Sequence, residues 1–346
     1  TVVRNYNDSA VPNYVLQWDT IDIAKGHVTL RREYNTPSAF DELFECNPKY
    51  NENDASLKER IEELSHFSNL VLEGVPGTGK THAVKAILEY WYQYTGRHAV
   101  SHSSDGEFAM TFHPSTSYED FVEGLRPLSQ RKQEYHPNPQ WFYQAPPEPK
   151  NDAHWSIQNG FFLDLCHKAY QNPQHDFLIL IDEINRANIP KVFGDLITCL
   201  ERSKRAFYQN SQWNYSEAQL VTLPYSKRRF FIPNNIYIIA TQNTTDRSVA
   251  TMDAALRRRF AFHRIEPSIS PNLAPALTSS IEVWTKLNAF LKKNIGPDAM
   301  LGSSYFYVLS KELLHSEAEN KKRIHLTWKR EILPQLIDGL LNANQL

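Results

Sequence analysis

From Asn69 to Thr81 the sequence reads NLVLEGVPGTGKT, and no other stretch narrows the possible folds as far. Leu70, Val71 and Leu72 form a short apolar run of the buried-strand type. The run breaks into Gly74-Val75-Pro76-Gly77-Thr78-Gly79-Lys80-Thr81, which fits G-x-x-x-x-G-K-[ST] at every fixed position. Glycines at 74, 77 and 79 allow the backbone to turn with its N–H groups aimed inward. With the start of the following helix, through His82, those groups form a cradle of partial positive charge for phosphate oxygens. Lys80 adds a mobile cation for the β- and γ-phosphates, and the Thr81 hydroxyl is a candidate Mg²⁺ ligand. Beyond the loop, Val84, Ile87, Leu88 and Trp91 fall at i, i+3, i+4 and i+7, one apolar helix face. A chance glycine-rich turn would lack this strand before it and this helix after it.

A chain of 346 residues is too long for one ordinary domain and fits two or three. Its hydrophobic share of 41% and charged share of 22% are those of a soluble globular protein. A net charge of −2 exerts no global pull on nucleic acid, so any DNA contact must come from a local patch or another chain. Cys46, Cys166 and Cys199 lie far apart and form no C-x-x-C pair, which points to buried thiols in a reducing compartment rather than zinc or a disulfide framework. No run reaches the roughly 18 apolar residues of a membrane span, and Thr1-Val2-Val3-Arg4 does not open a signal peptide. The expected location is cytoplasmic. Thr rather than Met at position 1 leaves room for an upstream segment.

Residues 1–66 read as a leader or the remnant of an upstream domain, with alternating stretches (Ile21 and Ile23, Val28 and Leu30) that suggest strands. A short helix over Leu57 to Leu64 leads into the first core strand. From 67 to 266 apolar strands alternate with helices, the pattern of a parallel α/β sheet. The expected strands are Leu70–Glu73, Phe108–Phe112, Phe177–Ile181, Ile236–Thr241 and Phe260–Ile265. Proline density predicts a surface insertion over about 130–155. A second insertion, about 203–235, contains Val221–Tyr225 and Arg229–Ile232, which suggests a hairpin. Lys227, Arg228 and Arg229 then lie near its tip, as a DNA or partner contact or as a merely solvated turn. After Pro267 a proline- and serine-rich linker opens a small helical domain over 267–346, with Val283, Trp284, Leu287, Phe290 and Leu291 on one helix and Ile332, Leu336, Ile337, Leu340 and Leu341 on the last.

Phe177-Leu178-Ile179-Leu180-Ile181-Asp182-Glu183 is an apolar strand ending in two acids, which need a cation to be tolerated as carboxylates at a buried tip. In a P-loop enzyme the first acid, Asp182, holds Mg²⁺ and the second, Glu183, orients the attacking water. The strand Ile236-Tyr237-Ile238-Ile239-Ala240-Thr241-Gln242 ends in Asn243, whose amide can bond both a water and a γ-phosphate oxygen. Asp246 and Arg247 follow as a local pair or as groups that place the asparagine. Arg257, Arg258 and Arg259 end a short helix about 100° apart, so they cannot all serve one site. One of them can reach the phosphates of a neighbouring subunit; the alternative is favourable charge at a helix C-terminus.

Together these residues resemble the AAA+ family of P-loop NTPases, specifically its McrB branch, the GTPase motor subunits of modified-cytosine-dependent restriction systems. The match rests on the P-loop, on Phe112-His113-Pro114-Ser115-Thr116-Ser117-Tyr118-Glu119-Asp120-Phe121-Val122-Glu123-Gly124-Leu125-Arg126-Pro127, on Ile181 to Asn188 with Lys191 to Asp195, and on Asn243-Thr244-Thr245-Asp246-Arg247-Ser248 through Arg259-Phe260. A Gly302-Ser303-Ser304-Tyr305-Phe306 element is also similar. The resemblance implies a five-stranded parallel sheet flanked by helices with a small helical lid. It further implies a homo-hexamer with nucleotide at the subunit interfaces, GTP rather than ATP, and an McrC-like subunit that stimulates hydrolysis and brings the endonuclease. On the same basis Asn243 and Asp246 belong to the signature loop that contacts the nucleotide and its water, and Arg258 and Arg259 fit the interface arginines better than Arg257. Gln242 stands where the family usually has methionine, and Thr245 where alanine is common.

The expected function is that of an Mg²⁺-dependent GTPase motor, with ATP as the other candidate nucleotide. It would translocate DNA, modified DNA by family implication, for a partner nuclease. The leading alternative is an ATP-driven remodeller acting on a protein, followed by a nucleotide-dependent assembly switch that hardly turns over. Glu183 argues against the last.

Overall fold

The structure, a computed structural model, describes residues 16–22, 27–32, 55–103, 106–127, 155–245, 254–269, 273, 275–312 and 316–343. Two units divide the chain, Thr1–Asp54 and Ala55–Leu346. The first contains an antiparallel hairpin, β1 (Leu16–Asp22) with β2 (His27–Arg32), where the alternating pattern suggests strands. Helix α1 (Ala55–Phe67) belongs to the second unit. The division therefore falls before this helix, not after residue 66. Leu57, Ile61 and Leu64 explain the difference: they are buried, and their i, i+4, i+7 spacing gives α1 an apolar stripe that must pack.

A parallel sheet forms the second unit's centre. Its strands are β3 (Asn69–Gly74), β4 (Ala99–Val100), β5 (Ala109–Thr111), β8 (Asp176–Asp182), β11 (Ile236–Asn243) and β12 (Ala261–Arg264). They lie in the order β12-β3-β11-β8, with β4 and β5 sharing the far edge of β8. Each expected core strand is present. The edge position, expected as one strand over Phe108–Phe112, is two short pieces. Ala99 and Val100 pair with Asp176 and Phe177, and Ala109 to Thr111 pair with Leu180 to Asp182. In β11 the run from Ile236 to Gln242 is buried, as continuous apolar strands covered on both faces should be.

The helix after the P-loop, α2 (Lys80–Thr95), buries Ala83, Val84, Ala86, Ile87, Tyr90 and Trp91. Gly96, at φ 68°, ends it by donating its N–H to the Tyr92 carbonyl. Helix α3 (Phe161–Gln171) buries Phe162, Leu165, Cys166 and Ala169 in the same core. A separate apolar cluster holds the lid together: Leu277, Trp284, Leu291, Leu301, Phe306, Leu309 and Ile332. On α4 (Thr278–Asn294) Trp284 and Leu291 are buried, while Val283 and Phe290 are exposed. The C-terminal helices, Glu317–Thr327 and Leu333–Ala343, are joined by a π-helical turn over Trp328–Ile332. Pro334 accounts for it, since it has no N–H for the preceding turn and the ladder widens around it. No helix among the described residues is long and apolar enough to cross a membrane.

Strands β6 (Glu123–Pro127) and β7 (Trp155–Asn159) pair antiparallel. The proline-rich insertion at 130–155 lies outside the described residues except for Trp155, which opens β7. The second insertion holds two hairpins. The expected one pairs β9 (Val221–Thr222) with β10 (Arg229–Phe230). The other, Phe207–Gln209 with Gln212–Asn214, turns through Asn210 and Ser211 at φ 51° and 60°, the left-handed pair of a type I′ turn.

Arg228 is not a solvent-facing tip residue. Its side chain is 7% exposed and pairs at 3.1 Å with Glu123, which is 0% exposed. The same guanidinium donates to Asn159 Oδ1 at 2.7 Å. Glu123 also accepts the backbone N–H groups of Tyr225 and Ser226 at 2.9 and 3.0 Å. The FVEGLRP stretch therefore ties the turn of the β9–β10 hairpin to the start of β6. Removing one partner leaves the other charge buried and alone, so Glu123→Ala is expected to cost about 3–5 kcal/mol. Urea unfolding of the full chain measures this, and a loss below about 1 kcal/mol, the value of an exposed pair, would contradict it.

Candidate nucleotide-binding site

The P-loop adopts the turn its glycines allow. Gly77 and Gly79 sit at φ 77° and 89°, a region that disfavours any residue with a Cβ. At Gly74 the constraint is space, because a Cβ there would lie 2.5 Å from the Ile265 carbonyl oxygen. Thr78 is buried and its hydroxyl donates to the Val75 carbonyl at 3.1 Å. Pro76 is half-buried, and Thr81 and His82 are exposed in the first turn of α2. Burial, Lys85 and Arg60 lower the His82 pKa, which favours the neutral imidazole.

Lys80 is folded back into the loop. Its ammonium donates to the carbonyls of Gly74 and Val75 at 3.1 and 3.0 Å and to Asn243 Oδ1 at 2.7 Å. The amide of Asn243 donates in turn to Glu183 Oε1. One chain of polar contacts thus runs from the P-loop lysine through Asn243 to the second acid of the strand tip. Parallel register brings this about: Asn243 at the end of β11 lies opposite Gly74 at the end of β3, while Ile181 lies opposite Ala240. The expected site residues Lys80, Asp182, Glu183 and Asn243 are brought together. Burial lowers the Lys80 pKa, and the charges of Glu183 and Asp182 oppose that shift. A bound triphosphate would add negative charge and oppose the lowering as well.

Asp182 receives the Thr241 hydroxyl on Oδ1, and the Glu183 N–H donates to the same Thr241 oxygen at 3.1 Å. Glu183 itself sits at φ 54°, a left-handed conformation that costs a non-glycine residue energy and is concentrated at functional sites. Two buried oxygens beside Asn243, Asn185 Oδ1 and Thr244 Oγ1, have no hydrogen-bond partner. Buried polar atoms are rarely left so, and a water or ligand at this spot would satisfy them. The lysine of the loop and the orphaned oxygens beside Asn243 fit a bound Mg²⁺–triphosphate. From the lid, the N–H groups of Ser303 and Ser304 both donate to the Gly77 carbonyl at 3.0 Å.

Thr241, Arg186 and the Ser303–Ser304 amides form contacts here that sequence reasoning missed. Thr241 is detectable, since aligning the starts of the two expected strands, Phe177 with Ile236, places it beside Asp182. Asp246 lies outside the described residues. The three arginines diverge. Arg257 lies over the Phe262 ring at 5.1 Å, and Arg259 is 9% exposed and 3.4 Å from Glu201. Arg258 is 70% exposed, with a looser 3.6 Å approach to the same carboxylate.

The sequence profile of the AAA domain family, dynein-related subfamily, matches residues 69–260. The chain belongs to the AAA family. That membership accounts for the P-loop, the acid pair at the tip of β8 and the polar tip of β11 as parts of one nucleoside-triphosphatase fold. Its McrB-type character is borne out by a relative, the McrB subunit of the type IV methyl-directed restriction enzyme EcoKMcrB from Escherichia coli (strain K12). The two are 31% identical over 267 residues, 73% of this chain and 50% of the relative. This AAA chain thus spans about half the length of that relative. Component YdiS of the type II restriction enzyme BsuMI from Bacillus subtilis (strain 168) is 25% identical over 305 residues, 78% of this chain and 83% of that protein. Among solved structures, C. elegans PCH-2 aligns at 14% identity with a TM-score of 0.30, covering 84% of this chain and 69% of the other, too slight a likeness to bear on the fold.

Proposed function

We propose that the chain is the Mg²⁺-dependent GTPase motor subunit of an McrBC-like restriction complex in the cytoplasm. It assembles as a hexameric ring and couples hydrolysis to DNA translocation for an McrC-like nuclease partner. The observation that supports hydrolysis is the contact chain Lys80–Asn243–Glu183, an ammonium, a side-chain amide and a carboxylate joined at the C-terminal ends of neighbouring strands. Restriction is supported by both curated relatives, whose names place them in restriction enzymes.

In the reaction, Glu183 orients the attacking water and accepts its proton as the water oxygen bonds the γ-phosphorus and the β–γ bridging bond breaks. Asn243 holds that water and a γ-oxygen, while Lys80 and the loop N–H groups offset charge on the phosphates. Thr81 and Asp182 would hold Mg²⁺, which would supply neutralisation of the negative charge on the phosphates. Arg258 of the adjacent copy completes the pocket. Phosphate release from GTP and from ATP at equal concentration, with Mg²⁺ present, tests the reading. GTP is expected to turn over faster. A clear ATP preference would overturn the guanine assignment and favour the ATP-driven remodeller.

A further inference from the structure

Glu183 is held from two sides. Its Oε1 accepts the Asn243 amide, and its Oε2 accepts the Nε–H of Arg186 at 3.2 Å. The 3₁₀ turn Ile184–Arg186 creates the second contact: with Glu183 at φ 54° as its N-cap, the turn closes through the Arg186 N–H to the Glu183 carbonyl at 2.9 Å. The guanidinium then reaches back over the carboxylate, with side-chain exposures of 46% for Arg186 and 22% for Glu183.

The two tethers differ in what nucleotide does to them. A triphosphate would draw Lys80 and Asn243 toward its γ-phosphate and so loosen the Asn243 contact with Glu183. Arg186 has no part in the Lys80–Asn243 chain, so that pull would not reach its own contact with Glu183. We propose that Arg186 is a positioning residue that holds Glu183 away from the attacking water, so that breaking the Arg186–Glu183 pair limits basal hydrolysis. The inference rests on the reading of Glu183 as the water-orienting base. An exposed pair of this kind is weak, as a contact that must break in each cycle needs to be.

Basal turnover of the full chain with Mg²⁺–GTP is the test. Arg186→Met keeps the stem and removes the charge, and is expected to raise kcat on the order of tenfold, a fraction of the roughly 10²–10⁴ that a positioned base contributes. KM should stay within about twofold, because ground-state binding is untouched. Arg186→Lys, which keeps a cation, should fall between wild type and Arg186→Met, a rescue that a merely structural role would not give. An unchanged or lowered kcat in Arg186→Met overturns the proposal, and Arg186→Gln gives the same reading should the methionine variant misfold. Glu183→Gln separates the failures. If it is inactive while Arg186→Met equals wild type, the restraint alone is wrong; if it remains active, the base assignment is wrong as well.

Discussion

Arg258→Ala is expected to lower hydrolysis by about 10³–10⁵-fold, the range an arginine supplied from a neighbouring subunit provides. Among the three consecutive arginines the reasons to single it out are geometric. Arg257 covers the Phe262 ring, and Arg259 is tucked against Glu201 within its own subunit. Arg258 keeps most of its side chain in solvent and approaches Glu201 at only 3.6 Å, so leaving that partner costs little. Fold stability should not change with Arg258→Ala, whereas Arg259→Ala should destabilise the chain and spare the chemistry of properly folded protein. Mixing subunits carrying Arg258→Ala with subunits carrying Glu183→Gln supplies the decisive measurement. Each variant alone is inactive, but in a mixed ring some pockets receive an intact Glu183 from one copy and an intact Arg258 from the next. Partial recovery of phosphate release is the expected result. No recovery, with mixed rings present, would mean that Arg258 serves the pocket of its own copy or none.

What the sequence reveals, and what it hides, follows from the range of the interactions. The P-loop, the acids after β8 and Asn243 after β11 are legible because each is a local pattern at the end of an apolar strand. Parallel strands that start together bring their ends together, so the cluster Lys80–Asn243–Glu183 is nearly implied by the sheet. Arg228 is the opposite case. Beside Lys227 and Arg229 it resembles a solvated tip, and only the tertiary contact with Glu123, over 100 residues earlier in the chain, makes it a buried ion pair. The hairpin through Asn210 and Ser211 escapes notice because its strands are three residues long, too short for alternation to register. Helix α1 is legible as a helix but not as part of the larger unit, since an amphipathic stripe does not say which surface covers it. The Arg186–Glu183 contact depends on a left-handed φ at a glutamate, which sequence gives no reason to expect.

Glu183→Gln is expected to reduce kcat by about 10²–10⁴-fold, the contribution of a positioned general base, while nucleotide binding and assembly persist. The substitution is nearly isosteric, and the glutamine carbonyl can still accept the Asn243 amide. Its NH₂ group, however, would face the Arg186 Nε–H donor, so that second tether is lost. Neither Lys80 nor the loop N–H groups are touched, which is why KM should move little and the loss should fall on kcat. Lys80→Ala predicts the reverse: the cation that bridges Gly74, Val75 and Asn243 disappears, and triphosphate affinity falls with it. Equilibrium binding of a fluorescent GTP analogue, measured alongside steady-state phosphate release, distinguishes the two. Should Glu183→Gln bind normally and still turn over at the wild-type rate, the water is activated by another group, and the left-handed glutamate at the tip of β8 serves the architecture alone.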